Sequence, residues 1–322
     1  MNILITGGAG YIGSQISYKL SDNKIKHSII DNLSTGHKKL INRKASFFNI
    51  NFGDKKNLKK IILKKKINCI IHLAASISVP ESMINPKKYY QNNVLNLINL
   101  LDVCKNTKIK YFIFSSTASI YGDISKNSVS ENDKKKPKNI YGKTKLIGEE
   151  LIKNYSKKSN LKYAILRFFN VIGADSFERT GPILNQGHLF GNILDNIKNK
   201  IFKVTIFGNK YSTKDGTGIR DYIDVEDISQ IHIDALRLIK IKKKSYIFNC
   251  GNSKGYSVYQ IIKNFEKVTK KKFLIKIEKP RPGDVARVVC NNKKLKKILN
   301  VQKKKSLIKS IESAIRWKSK LI

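Results

Sequence analysis

Three glycines at three-residue intervals, Gly7, Gly10 and Gly13, stand directly behind the apolar run Asn2–Thr6 and constrain this chain more than any other feature. An apolar run of that length reads as a buried parallel strand, and the amphipathic segment continuing to Leu20 reads as a helix. The glycines therefore occupy a strand–turn–helix junction. A sharp turn there needs glycine if the backbone is to approach a diphosphate closely, with the N–H groups and dipole of the first helical turn facing the negative charge. Gly7, Gly10 and Gly13 are spaced Gly-x-x-Gly-x-x-Gly and no Gly-Lys-Ser/Thr follows, so the stretch differs from a Walker-type phosphate loop. A glycine-rich turn without a ligand is the plainer alternative.

The next unit favours the ligand. His27–Asp31 reads as a second strand ending in a carboxylate 18 residues beyond Gly13, where an acidic side chain can accept hydrogen bonds from both adenosine ribose hydroxyls and repel a 2′-phosphate. That points to NAD rather than NADP, although an Asp at a strand end also serves as a turn or helix cap.

At 322 residues the chain can bury one large or two coupled cores. Its net charge of +41 suggests nucleic acid at first sight. The lysines, however, are spread along the whole chain, arginines number only eight, and no RNA-binding aromatic signature or helix-turn-helix accompanies them. Abundant Lys, Asn and Ile match an A/T-rich coding bias, and the charge reads as solvated surface that also attracts anionic substrates. Cys69, Cys104, Cys250 and Cys290 show no metal-ligand spacing, which predicts reduced thiols, a cytoplasmic setting and no metal. No run has signal-peptide or membrane-spanning character, so neither a membrane nor a nucleic acid is expected as partner.

Strand-like and helix-like segments alternate from the start. Strands are expected at Ala45–Asn49, Cys69–Leu73, Tyr111–Ser115 and Tyr163–Phe168, and helices at Lys55–Lys66, Pro86–Lys105 and Tyr141–Lys157. The pattern predicts an α/β protein with a doubly wound parallel sheet, Rossmann-type. After Asn170 the rhythm breaks into stretches rich in Gly, Asn, Asp and Thr, of a kind that often carries binding groups. Residues 1–172 form the first domain, to whose sheet 225–250 is expected to return. Residues 173–322, including the basic helices near Leu295 and Ile308–Lys318, form a smaller C-terminal α+β lobe across a cleft.

Tyr141 and Lys145 make a Tyr-x-x-x-Lys pair on one helix face. A tyrosine needs a nearby ammonium to act as a base near neutrality. Tyr259 and Lys263 repeat the spacing, as a lysine-rich chain does by chance. Position separates the pairs, because Tyr141 follows the strand ending in Ser115-Ser116-Thr117, where active sites of open α/β sheets lie.

Several motifs together carry a resemblance: Thr-Gly-Gly-Ala-Gly-Tyr-Ile-Gly at 6–13, His-Leu-Ala-Ala at 72–75, Tyr-Tyr-Gln-Asn-Asn at 89–93, Ser-Ser-Thr at 115–117, Tyr-Gly at 121–122 and Tyr-Gly-Lys-Thr-Lys at 141–145. This set resembles the extended short-chain dehydrogenases/reductases. Arg-Phe-Phe-Asn at 167–170, the stretch 207–222 and Arg-Pro-Gly-Asp at 281–284 are similar to the UDP-glucose 4-epimerase family within them. The resemblance implies NAD, tightly bound and not consumed, held by Gly7, Gly10, Tyr11, Ile12, Gly13, Asp31, Asn32, Asn51, Ala74, Asn92, Tyr141, Lys145 and Phe168. It implies a UDP-sugar held by Thr117, Asn170, His188, Leu189, Phe207, Arg220, Arg281, Asp284 and Val288. It also implies a homodimer through the helices Pro86–Lys105 and Tyr141–Lys157.

The implied chemistry is transient oxidation at sugar C4, with Tyr141, Lys145 and Thr117 as the catalytic set. It interconverts UDP-glucose and UDP-galactose, and Val288 either leaves room for an N-acetyl group or simply packs a short strand with Val289. Asn51, Ile77, Thr117 and Asp224 depart from the family's usual Asp, Lys, Ser and His. A nucleotide-sugar 4,6-dehydratase is the nearest rival, but those enzymes place Asp-Glu after the Thr, where this chain has Ala118-Ser119. A non-catalytic NAD-binding sensor or scaffold on the same fold is the rival from another class.

Overall fold

Successive residues of a strand face opposite ways, and here both faces are apolar: in β1 (Ile3–Thr6), Ile3 and Ile5 enter one hydrophobic core and Leu4 another. That pattern suits a parallel sheet covered on both sides, and the computed structural model has one. It describes residues 1–124, 126–183, 188–301 and 305–321. From β1 the chain passes through α1 (Tyr11–Asp22), β2 (His27–Ile30), β3 (Ser46–Phe48), α2 (Lys55–Lys64) and β4 (Cys69–His72). It continues through α3 (Val79–Ile84), α4 (Pro86–Tyr90), α5 (Asn96–Lys105), β5 (Tyr111–Thr117), α6 (Ile140–Lys157) and β6 (Lys162–Phe168). Then follow β7 (Asn170–Ile172), α7 (Leu189–Lys198), β8 (Lys203–Phe207), β9 (Ile219–Asp224), α8 (Val225–Lys242) and β10 (Tyr246–Cys250). The last elements are β11 (Gly255–Ser257), α9 (Val258–Thr269), β12 (Leu274–Glu278), β13 (Arg287–Val288), α10 (Lys293–Leu299) and α11 (Leu307–Ser319).

Seven strands pair in parallel in the order β10-β6-β5-β4-β1-β2-β3. The order reverses between β1 and β4, where the carboxyl ends of the strands open a crevice. Ile16 and Leu20 of α1 and Ile228, Ile231 and Leu236 of α8 cover one face. Leu58 and Ile62 of α2, Leu97 and Leu101 of α5 and Ile152 of α6 cover the other. Burying each such side chain is worth about 1.5–3 kcal/mol. This is the doubly wound sheet that the sequence predicts.

The smaller lobe has β9 bound by β7, β11 and β13, a separate β8–β12 pair, and its own core of Phe190, Ile193, Ile206, Ile261, Phe265 and Ile311. Two expectations need correction. The helix expected over Pro86–Lys105 is interrupted by a π turn at Gln91–Leu95. The sequence assigns the helix at Leu295 to the smaller lobe, but Leu295 is fully buried in the core of the large sheet, where its helix packs against α8 and β10.

Candidate active site

At the crevice two of the three glycines, Gly7 and Gly13, are required by contact. Gly7 has φ +73°, and a Cβ there would lie 2.7 Å from the Ala74 nitrogen; at Gly13 it would lie 2.2 Å from the Gly7 carbonyl oxygen. The α1 N-terminus begins at Gly10 with no side-chain cap, so its backbone N–H groups remain for an anion. The crevice is a cavity of about 450 Å³, and its wall includes Gly7, Gly10, Tyr11, Ile12 and Gly13. The Tyr11 hydroxyl donates to the Gly173 carbonyl at 2.6 Å, tying this turn to the smaller lobe.

Asp31 lies just beyond β2. Its carboxylate accepts from the backbone N–H of Ala9 (3.0 Å) and Leu33 (2.8 Å). Burial pushes its carboxyl group up, and these N–H groups pull it back. Each oxygen retains a lone pair for a further donor. Asn32, Ala74, Asn92 and Phe168 also line the cavity. Asn51 does not: it is exposed, and its Oδ1 accepts from the Gly53 N–H and the Asn96 amide, while its neighbours Ile50 and Phe52 form the wall. The turn that begins at residue 51, with the Asp54 N–H donating to the Asn51 carbonyl, keeps its side chain on the outside.

Sequence reasoning missed what the π turn does. Asn92 donates to Ser76 Oγ at 3.1 Å. The Asn93 side chain accepts from the Ser76 N–H at 2.8 Å and donates to Thr144 Oγ1 at 3.1 Å. The turn thus pins the loop after β4 to α6, and such interruptions frequently mark functional sites.

Asn139 caps α6 by accepting from the Gly142 N–H. Tyr141 and Lys145 then reach the end of β5, and both line the cavity with Thr117. Burial pushes the Tyr141 phenol up to about 12, and its hydrogen bond with the Thr117 side chain pulls it down. Lys145 Nζ donates to the Ser115 carbonyl at 2.8 Å, and burial depresses the ammonium to about 7 while Glu149 raises it. Thr117 Oγ1 also accepts from the Ser119 N–H. Tyr259 lies in the smaller lobe's core on α9, apart from this cluster.

Across the cavity stand Asn170, His188, Leu189, Arg220, Asp284 and Val288. Arg220 lies 3.7 Å from Asp284. Phe207 and Arg281 are not in the cavity wall; they stack on each other, guanidinium to ring centroid 3.7 Å, beside it. Among the described residues no cluster could hold a metal ion and no helix is long and apolar enough to cross a membrane.

The fit to a dinucleotide is supported by an orphan. The buried Ser115 hydroxyl, on the cavity wall, has no partner among the described residues. Together with the uncapped helix, the glycine cradle and Asp31, it provides donors and acceptors where a diphosphate, ribose and nicotinamide need them. Fold and site define a dinucleotide-dependent enzyme whose cavity wall brings Tyr141 and Lys145 together. Residues 3–251 match the NAD dependent epimerase/dehydratase family, and the chain belongs to it. It is 37% identical to the UDP-glucose 4-epimerase of Lactobacillus helveticus over 99% of this chain and 96% of that one. The UDP-glucose 4-epimerase of Stenotrophomonas maltophila, solved with NAD and formylated UDP-arabinopyranose, superposes with TM-score 0.95 at 29% identity, covering 100% and 98% of the two chains. The UDP-Glc/GlcNAc 4-epimerase of Campylobacter jejuni gives 0.85 at 37% identity, covering 99% of each.

Proposed function

We propose that the chain is a UDP-glucose 4-epimerase, interconverting UDP-glucose and UDP-galactose. The observation that carries this reading is the meeting of Tyr141, Lys145 and Thr117 on one cavity wall with Arg220, His188 and Asp284 opposite. Bound NAD supplies a hydride acceptor at sugar C4 that can return the hydride, so no redox equivalent is consumed. The Tyr141 oxygen takes the proton of the sugar 4-hydroxyl, directly or through Thr117, and gives it back. Lys145 stabilises the phenolate that this requires. Arg220 and Arg281 are the cations for the diphosphate, with Asn170, Leu189 and Phe207 completing the UDP-sugar contacts. In this division 1–172 with 225–250 binds NAD, and 173–322 without that segment and α10 binds the UDP-sugar. Purified protein given UDP-galactose without added NAD should form UDP-glucose; no product, with or without NAD, overturns the reading.

Three finer assignments belong to the same proposal. Val288, buried on the cavity wall and paired in register with Arg220, leaves room beside the sugar for an N-acetyl group. UDP-N-acetylglucosamine and UDP-N-acetylgalactosamine should therefore interconvert. Val288→Tyr should lose that reaction selectively by about one to two powers of ten, as overpacking by about 1–3 kcal/mol predicts. Equal slowing of both substrate pairs in coupled assays removes the gate. The protein is a homodimer: Leu95 and Ile98 are exposed, and Ile147 and Leu151 half-exposed, on the helices over 91–105 and 140–157, while Leu97, Leu101 and Ile152 are buried against the sheet. Light scattering giving a monomer at all concentrations overturns this. Four buried free cysteines support a reducing, cytoplasmic setting.

A further inference from the structure

A row of side chains four residues apart on α6 extends past the catalytic pair: Tyr141, Lys145 and then Glu149. All three are tied to the end of β5, at three successive residues. Tyr141 bonds the Thr117 side chain, Lys145 Nζ donates to the Ser115 carbonyl at 2.8 Å, and Ser116 Oγ donates to Glu149 Oε1 at 2.6 Å. Glu149 is wholly buried, and from β6 the equally buried Arg167 grips both its oxygens, Nε to Oε1 at 2.9 Å and Nη2 to Oε2 at 2.7 Å. Arg167 is held in turn by donating to the Tyr121 hydroxyl at 2.7 Å and the Glu131 carbonyl at 3.0 Å. A buried ion pair often adds no stability over apolar residues of the same volume. Its placement one helical turn from Lys145 is therefore the informative feature.

We propose that Glu149 is a positioning residue: braced by Arg167 and Ser116, its carboxylate is the fixed counter-charge that holds the Lys145 ammonium beside Tyr141. The inference rests on the epimerase reading of the site. Facing Lys145 are Tyr141 and Glu149 from its own helix, the Ser115 carbonyl and the Phe114 ring (4.9 Å to the centroid) from β5, and His72 from β4. Burial keeps His72 neutral, so it supplies no counter-charge. Facing Glu149 are Arg167, Lys153 at 3.9 Å, and, within its field, Lys135 and Tyr163. Burial draws Lys145 toward deprotonation, and Glu149 is the carboxylate that opposes this. A base-stabilising lysine in so dry a place needs such a partner to stay charged at neutral pH.

The test follows the protonation of Lys145 in the purified full chain by two readouts: the alkaline limb of kcat for UDP-galactose, and the pH midpoint of Lys145 acetylation by acetic anhydride, from peptide mass mapping. Glu149→Gln removes the counter-charge and leaves Arg167 positive, so both should move down by about one pH unit or more. Arg167→Gln leaves the carboxylate unopposed, and both should move up. Glu149→Asp retains the charge and should keep the wild-type midpoint even where kcat falls. Should the single variants not fold, the double variant Glu149→Gln/Arg167→Gln removes the pair together, and its midpoint should still lie below wild type. Unchanged midpoints in Glu149→Gln or the double variant, or shifts of one sign in both single variants, overturn the proposal. Shifts as expected in acetylation, from a wild type that does not turn over UDP-galactose, support the counter-charge and remove the substrate reading alone.

Discussion

At the scale of single residues, Tyr141 meets two opposed demands. Burial brings its oxygen into a dry cavity and pushes the phenol up to about 12, which disfavours the phenolate near neutrality. Only stabilising groups beside it make it a base, and the Thr117 hydroxyl and the Lys145 ammonium are placed on the same cavity wall. Tyr141→Phe keeps the ring and removes the proton acceptor. Turnover should fall by roughly 10²–10⁴ or more while the melting temperature and bound NAD stay near wild type. Near-normal turnover would remove Tyr141 from the mechanism. Tyr259→Phe is the matched control, since that tyrosine packs against the smaller lobe's core and is not part of the cavity wall, and its activity should be unchanged.

At the scale of elements, what was legible in the sequence is what is locally determined. The strand–turn–helix of β1 and α1, the carboxylate after β2 and the helix carrying Tyr141 each follow from spacing within about twenty residues. The π turn was not legible, because what supports it is remote in sequence: Asn93 is held by Ser76 and Thr144. Nor were β7, β9 and β11, strands that form by pairing with distant segments. Glu149 did leave a signal, a third residue at the four-residue interval, hidden by the commonness of charge on helix faces. The β1–α1 turn makes a graded prediction. A Cβ on Gly13 would stand 2.2 Å from the Gly7 carbonyl oxygen, but on Gly10 3.2 Å from it. Gly13→Ala should therefore cost about 1–3 kcal/mol or more in urea unfolding and release NAD on gel filtration, whereas Gly10→Ala should do less of both. Equal effects from the two substitutions would show that the close approach at Gly13 does not hold the turn.

At the scale of the whole molecule, most of the positive charge is solvated, and many ion pairs are exposed ones such as Lys55–Asp102 and Lys276–Glu278, of a kind worth little. The charge that links the two lobes is instead buried. Asp224 stands between the end of β9 and the start of α8 and is 1% exposed. It caps α8 by accepting from the Glu226 N–H at 2.8 Å, accepts from Ser310 Oγ of α11 at 2.6 Å, and lies 3.9 Å from Lys305. Burial pushes its carboxyl group up to about 6, against the pull of Ser310 and Lys305. The sign follows from linkage. The folded chain holds this proton more tightly than the unfolded chain, so the contribution is fully present below about pH 4 and is lost as pH rises through about 6. Its size is on the order of 3 kcal/mol. Asp224→Asn retains an oxygen for the cap and cannot titrate. Urea unfolding at several pH values from about 4 to 7 should show the stability of wild type relative to this variant falling by that order as pH rises. Parallel profiles, or a difference that grows in wild type's favour with pH, would mean that Asp224 is already ionised in the acidic folded state and does not couple the lobes to pH.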